Sequence, residues 1–336
     1  MMLKRLALLG MATVLGGAPH AFGTPLVYVS LERGNAVVAI DPQAARIVAR
    51  YNVGQRPRGL ALSPDGRSLY VAVSGAPIGG PGVDEAKLPP ADHGADGIAV
   101  VNLASGRSRS FPGGSDPETF ALSPSGKQLF VSNEDAGALS AVPVAGGPSR
   151  SAKVGDQPEG VAITRDGRTL YVACEGSDYV AQLDAASLRV EKTIAITGRP
   201  RSLLLSRDGR TVFVAVETAG KLALLDAETG RLRTLIDLAH GNDSIRPMGL
   251  VEAPGGRLYV STGRGRSVIE VNVDSGRTVR TIAKVGARPW GIALIDNDRM
   301  LATANGPSDD ISIIELASGK LKARIATGGG PWGIVW

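Results

Sequence analysis

One phrase recurs along this chain and restricts what it can fold into. In the copy spanning residues 154–195 it reads V-G-x-x-P-x-G, an apolar run, a D-G turn, L-Y-V-A, a polar loop, V-x-x-L-D, and a last run ending in T-I. The loop proline falls at Pro57, Pro117, Pro158, Pro200, Pro247, Pro289 and Pro331, with gaps of 60, 41, 42, 47, 42 and 42 residues. A period near forty with four short strands per unit is the pattern of a β-propeller blade. Within the 154–195 copy the strands are expected at 160–164, 169–174, 179–184 and 189–196. Turns such as Ser63-Pro64-Asp65-Gly66 close the first hairpin, because proline presets φ and glycine supplies positive φ. Runs such as Leu60-Ala61-Leu62 and Leu203-Leu204-Leu205 are apolar on both faces, as in a sheet packed between two others.

The ends fit a closed ring. Leu26-Val27-Tyr28-Val29 matches the second strand of a unit, and Pro331 to Trp336 is a first strand with nothing after it. The expectation is an all-β, seven-bladed propeller with four-stranded blades. One blade takes its inner strand from the C-terminal end and its three outer strands from the N-terminal end, which removes two exposed sheet edges.

Residues 1–23 read as an export signal. Lys4 and Arg5 precede an apolar core, and Ala21-Phe22-Gly23 is a small-x-small cleavage site. The expected product is a single domain, 24–336, soluble, monomeric, periplasmic and without a membrane span. The formal charge of +5 includes Lys4 and Arg5, and no basic tract follows. The single cysteine, Cys174, allows no internal disulfide and is expected to be a packed thiol. Residues 74–96 form a Gly- and Pro-rich insertion about twenty residues longer than the matching loop elsewhere, expected on the channel-mouth face.

Loops between the fourth strand of one blade and the first of the next share that face with the second-to-third loops. The residues around each proline therefore ring the channel mouth. An acidic arc includes Asp116, Glu118, Glu134, Glu159 and Glu175. A basic arc includes Arg199, Arg201, Arg246, Arg264, Arg266 and Arg288, with Arg56 and Arg58 closing the circle beside Trp290 and Trp332. Either the rim pairs Arg with Glu across blades, or the basic arc is a polarised binding surface. Arg suits planar carboxylates or phosphates, and Trp offers stacking. Because acids and bases sit on different blades, incomplete neutralisation is expected, with Arg58, Arg201 and Arg288 as leading contacts for an anionic ligand. Glu118, Glu159 and Glu175 complete the candidate ligand site.

Catalytic patterns are absent. No G-x-S-x-G surrounds a serine, and no phosphate-cradling loop or C-x-x-C-H occurs. No cofactor is expected and no metal site is assigned, although His93, Asp92 and Asp96 in the insertion form a weak candidate set.

Gly59-Leu-Ala-Leu-Ser-Pro-Asp-Gly66 and Leu69-Tyr-Val-Ala72 resemble the repeats of the YVTN family of β-propellers. Gly54-Gln-Arg-Pro-Arg-Gly59, Ser132-Asn-Glu-Asp-Ala136, Ala304-Asn-Gly-Pro-Ser-Asp-Asp310 and Pro331-Trp-Gly333 are similar to exported propellers associated with pyrroloquinoline-quinone-dependent alcohol catabolism. The resemblance implies a non-catalytic binding or scaffold protein, accessory to redox metabolism, whose partner is a periplasmic protein or a small anionic ligand. The alternatives are a lactonase-like or metal-dependent hydrolase and a single-stranded nucleic-acid-binding propeller. Nucleic acid is the least expected partner, given the mild charge.

Overall fold

The computed structural model of the protein describes residues 25–79 and 83–336. The export signal read over 1–23 lies outside them. The described residues form seven four-stranded antiparallel sheets. Blade 1 comprises Leu60–Leu62, Ser68–Val73, Gly97–Asn102 and Ser108–Phe111. Blade 2 follows with Pro117–Leu122, Gln128–Asn133, Ala138–Pro143 and Arg150–Lys153. Blade 3 is Pro158–Ile163, Thr169–Cys174, Tyr179–Asp184 and Val190–Ala195, within two residues of the sequence reading at every boundary. Blades 4, 5 and 6 begin at Pro200, Leu250 and Pro289. Blade 7 is the composite. Pro331–Val335 pairs with Val27–Leu31 in the register Tyr28↔Val335, Val29↔Ile334 and Leu31↔Pro331, and Ala36–Asp41 and Arg46–Asn52 complete the sheet. Ring closure by N- and C-terminal strands is thus observed.

Among the described residues the apolar core is divided between the blades rather than gathered at the centre. Seven apolar clusters occupy the seven interfaces between neighbouring blades. The closing interface between blades 6 and 7 is built from Val27, Val29, Leu31, Ile311 and Ile313, with Ile334 and Trp336 packed against them. Every sheet has both faces covered, which is why middle strands such as Thr169–Cys174 carry apolar residues at successive positions.

The glycine of P-x-G has a specific task. A Cβ on Gly333 would lie 2.6 Å from the carbonyl oxygen of Arg58 in blade 1, and one on Gly291 would lie 2.6 Å from that of Trp332. Each inner strand approaches the next at this point, so a side chain would force the hub apart. Just before the proline, Arg56, Asp116, Gln157, Arg199 and Arg288 all adopt left-handed backbone, with φ between 43° and 60°.

The 74–96 insertion forms two 3-10 turns, Glu85–Lys87 and His93–Ala95. Its base is stitched by Gly75 and Asp92. The Gly75 amide donates to Asp96 Oδ1 (2.9 Å), and the Asp92 amide donates to the Gly75 carbonyl (2.9 Å). Cys174 is fully buried, and burial pushes its thiol up to about 12. Among the described residues no helix is long and apolar enough to cross a membrane.

Candidate functional site

The residue after each loop proline stands at or just before the start of an inner strand, and five of the seven (Arg58, Glu159, Arg201, Trp290 and Trp332) line the channel mouth. In ring order the seven are Arg58, Glu118, Glu159, Arg201, Met248, Trp290 and Trp332. Hydroxyls from neighbouring blades fix several of their backbones. Ser30 Oγ donates to the Arg58 carbonyl (2.6 Å), Ser132 Oγ to that of Glu159 (2.5 Å), and Ser261 Oγ to that of Trp290 (2.7 Å). Above this ring opens a cavity of about 610 Å³. Its walls include Glu159, Glu175, Glu217, Arg199, Arg201, Arg246, Arg264, Arg288 and both tryptophans, and Ile78, Gly79 and Val83 of the insertion reach it as well. The insertion therefore stands on the mouth face, as expected.

Two charge clusters form within the ring. In the first, Arg58 Nε donates to Glu32 Oε1 (3.1 Å), its guanidinium contacts Glu118 directly, and Glu134 lies 3.7 Å away. Arg56 adds ion pairs to Glu32 (3.4 Å) and Asp116 (3.1 Å). In the second, Arg201 binds three carboxylates at once: Glu159 (2.8 Å), Glu175 (2.9 Å) and Glu217 (3.0 Å). Arg199 also pairs with Glu175. The expectation of incomplete neutralisation fails for Arg56, Arg58 and Arg201, because long side chains cross from one blade to the next. Glu32 and Glu217, absent from the candidate ligand set read from sequence, are central to this pairing. They stand at the loop position that Glu134 and Glu175 occupy in their own blades.

Glu159 is the unusual group. It is 4 % exposed, and its carboxyl is raised to about 8. Burial is the main cause, opposed by Arg201 and reinforced by Glu175. Three carboxylates share one guanidinium, and burial of Glu159 beside Glu175 favours its protonated form.

The other half of the mouth is cationic. Among the described residues Arg246, Arg264, Arg266 and Arg288 form no ion pair. Arg246 donates to the Thr218 carbonyl (3.0 Å), and Arg266 stands outside the cavity lining. The Arg288 guanidinium is held below its usual range by burial and then by repulsion from Arg201 and Arg264. From sequence the tryptophans read either as a stacking surface for a ligand or as packing residues at the hub. They stack on each other, with centroids 5.7 Å apart and planes 27° apart. Arg201 and Arg288 each lie over the Trp290 ring at 4.7 Å, and Arg58 lies over Trp332 at 5.8 Å. Their faces are already occupied by guanidinium groups.

The His93, Asp92 and Asp96 set does not converge. His93 Nδ1 is 3.0 Å from Asp96 Oδ2, whereas Asp92 accepts from Gln55 Nε2 (3.0 Å). Asp96 also accepts from the amides of Gly75 and Asp116, so it anchors the insertion to blade 2. The described carboxylates whose oxygens do converge, within 4.8 Å, are Asp116, Glu118 and Glu134. Arg58 contacts Glu118 and approaches Glu134, so a metal ion bound there would have to displace that guanidinium.

A family model described as a lactonase, seven-bladed beta-propeller, matches residues 147–246. Comparison with curated proteins found no match. Among solved structures, the periplasmic gluconolactonase of Pseudomonas aeruginosa superposes with a TM-score of 0.72 at 21 % identity, covering 92 % of this chain and 98 % of that one. Hydrazine synthase of Kuenenia stuttgartiensis gives 0.73 at 19 %, covering 91 % and 99 %. An inactive virginiamycin B lyase from Staphylococcus aureus, with quinupristin, gives 0.65 at 14 %, covering 84 % and 88 %. These likenesses establish the shared fold.

The family match overturns the assignment to YVTN-repeat, quinone-associated propellers, and with it the reading of a non-catalytic scaffold. The misleading phrases have structural causes. Leu69-Tyr-Val-Ala72 is a middle strand buried on both faces, P-x-G is the close approach at the hub, and S-P-D-G closes a hairpin. Any blade of this design meets those demands, whatever its chemistry. The absence of a linear catalytic pattern was equally uninformative, because the carboxylates and arginines of the mouth come from separate blades.

Proposed function

We propose that this protein is a lactone hydrolase whose reaction centre is the channel-mouth cavity, and that its substrate carries a negative charge. One overlap carries the reading: the segment matching the lactonase family, 147–246, contains Glu159, Glu175, Arg199, Arg201 and Glu217, the cluster that converges in the cavity. Opening a lactone requires water to add to the ester carbonyl, charge to develop on the carbonyl oxygen, and the ring oxygen to depart with a proton. Glu159 holds a proton near neutrality and donates it to the ring oxygen. Glu217, the least buried carboxylate on Arg201, takes the proton from the attacking water. Arg199, half-exposed beside them, faces the developing oxyanion. Arg288, flanked by Arg246 and Arg264, receives the substrate's own anionic group.

The test is acid release in a pH-stat with glucono-δ-lactone and its 6-phosphorylated form. The expected result is turnover above spontaneous opening, faster for the phosphorylated lactone, with activity falling as pH rises through about 8 when Glu159 loses its proton. Failure to accelerate either lactone would refute the reading. Dialysis against a chelator should leave activity unchanged, because Arg58 occupies the carboxylate triad. Loss restored by a divalent cation would favour a metal-dependent hydrolase instead.

We further propose that the protein is a periplasmic monomer acting on a small anionic molecule. The export signal read over 1–23 and the likeness to a periplasmic gluconolactonase support that placement.

A further inference from the structure

We propose that Trp290 is a positioning residue that fixes Arg288 in the mouth, and that it thereby governs how tightly an anionic substrate is held. The proposal rests on the lactone-hydrolase reading for its kinetic consequence, but not for its geometry.

Arg288 is half-buried and forms no ion pair among the described residues. Nor does its guanidinium donate a hydrogen bond to any described residue. A long side chain in that position would sample many rotamers. Its guanidinium lies over the face of Trp290, at 4.7 Å, with Glu217 and Glu32 attracting it from beyond ion-pair distance. Trp290 is in turn immobilised. Trp332 stacks on it at 5.7 Å, and its carbonyl accepts from Ser261 Oγ at 2.7 Å. Arg201, held by three carboxylates, lies over the same ring at 4.7 Å. Trp290 thus contacts both a neutralised arginine and an unpaired one, and only the second is free to bind an anion.

The repeat supports this division of labour. The position after the loop proline is Arg58, Glu118, Glu159 and Arg201 in blades 1 to 4, where charges pair across blades. In blades 6 and 7 it is tryptophan. An acid at Trp290 would pair with Arg288 and remove its capacity for a ligand. An aromatic ring holds the cation without neutralising it.

The experiment compares wild type, Trp290→Leu, Trp290→Phe and Arg288→Ala. Each folded variant is labelled with phenylglyoxal, and the rate at Arg288 is read by peptide mass spectrometry without any ligand present. Arg288 should label several-fold faster in Trp290→Leu and close to the wild-type rate in Trp290→Phe. If the leucine variant does not fold, Trp290→Met, which also lacks an aromatic face, carries the same comparison. An unchanged labelling rate without the ring overturns the proposal. On the anionic lactone, removing the ring should raise KM by about twofold to thirtyfold, the range of one cation–π contact, with kcat little changed. Trp290→Phe should restore KM, and Arg288→Ala should match Trp290→Leu. A fall in kcat at unchanged KM would also overturn it. Should wild type open no lactone, the hydrolase reading fails while the labelling comparison still decides the positioning role.

Discussion

Replacing Glu159 with Gln should separate the pH dependence of stability from that of the rest of the fold. The carboxyl is raised in the folded state, from 4.5 to about 8, chiefly by burial. A group whose folded pKa lies above its unfolded value binds more protons when folded. Its contribution to stability is therefore complete below pH ~4.5 and is lost as pH rises through ~8. A rise of this size corresponds to at most ~5 kcal/mol between those limits. Glutamine keeps the shape and cannot ionise, so the variant escapes that loss. Thermal melts at half-unit steps from pH 5 to 9 make the comparison. At pH 5 the two proteins should melt within a few degrees of each other. By pH 9 Glu159→Gln should melt higher by up to roughly 10–20 °C, at about 2–4 °C per kcal/mol for a domain of this class. In turnover the same variant should lose about a hundredfold or more in kcat, because the proton donor is gone. Parallel melting curves across the pH range would refute the placement of a protonated carboxyl on Arg201.

Deleting residues 329–336 strips the inner strand from blade 7, uncovers the edge of Val27–Leu31 and removes Ile334 and Trp336 from the closing interface; we expect Tm to fall by more than about 10 °C in thermal melts and aggregation to appear in light scattering. Cys174, fully buried with its thiol raised to about 12, should react with a thiol reagent at least about a hundredfold more slowly in the native protein than after denaturation, and rapid native labelling would contradict the packing of the interface between blades 2 and 3.

The fold was legible because its physical demands recur from blade to blade, 41 or 42 residues apart except where two insertions lengthen the gap to 60 and 47. Gly160, Gly249 and Gly333 each meet the next blade's inner strand, so the spacing of P-x-G reports the geometry of the hub. The half-units at residues 27–52 and 331–335 read correctly as one blade because neither can satisfy its sheet edge alone. The site was legible only in part. Proline spacing placed Arg58, Glu159, Arg201, Trp290 and Trp332 around one opening. It could not show that Arg201 reaches back 42 residues to Glu159 and forward 16 to Glu217, or that Arg56 reaches Asp116 across 60. Those pairings depend on side-chain direction across a gap between sheets, which strand periodicity leaves undetermined.

Family assignment failed for a related reason. The apolar middle strand, the S-P-D-G turn and P-x-G that suggested it serve the packing of blades, and so they report architecture. Information about chemistry lies where the blades differ. After the loop proline the chain holds Arg, Glu, Glu, Arg, Met, Trp and Trp, whereas the next position is glycine in five blades and Thr119 or Ser202 in the other two. A seven-fold arrangement of identical residues would give a channel mouth of uniform potential. This one gathers carboxylates on blades 2 and 3, leaves unpaired cations on blades 5 and 6, and sets the stacked indoles of blades 6 and 7 beside them. A small molecule entering the cavity therefore meets enclosed carboxyl groups on one side and unpaired positive charge on the other. The proposed opening of an anionic lactone would use both, and a seven-fold symmetric ring could not supply them.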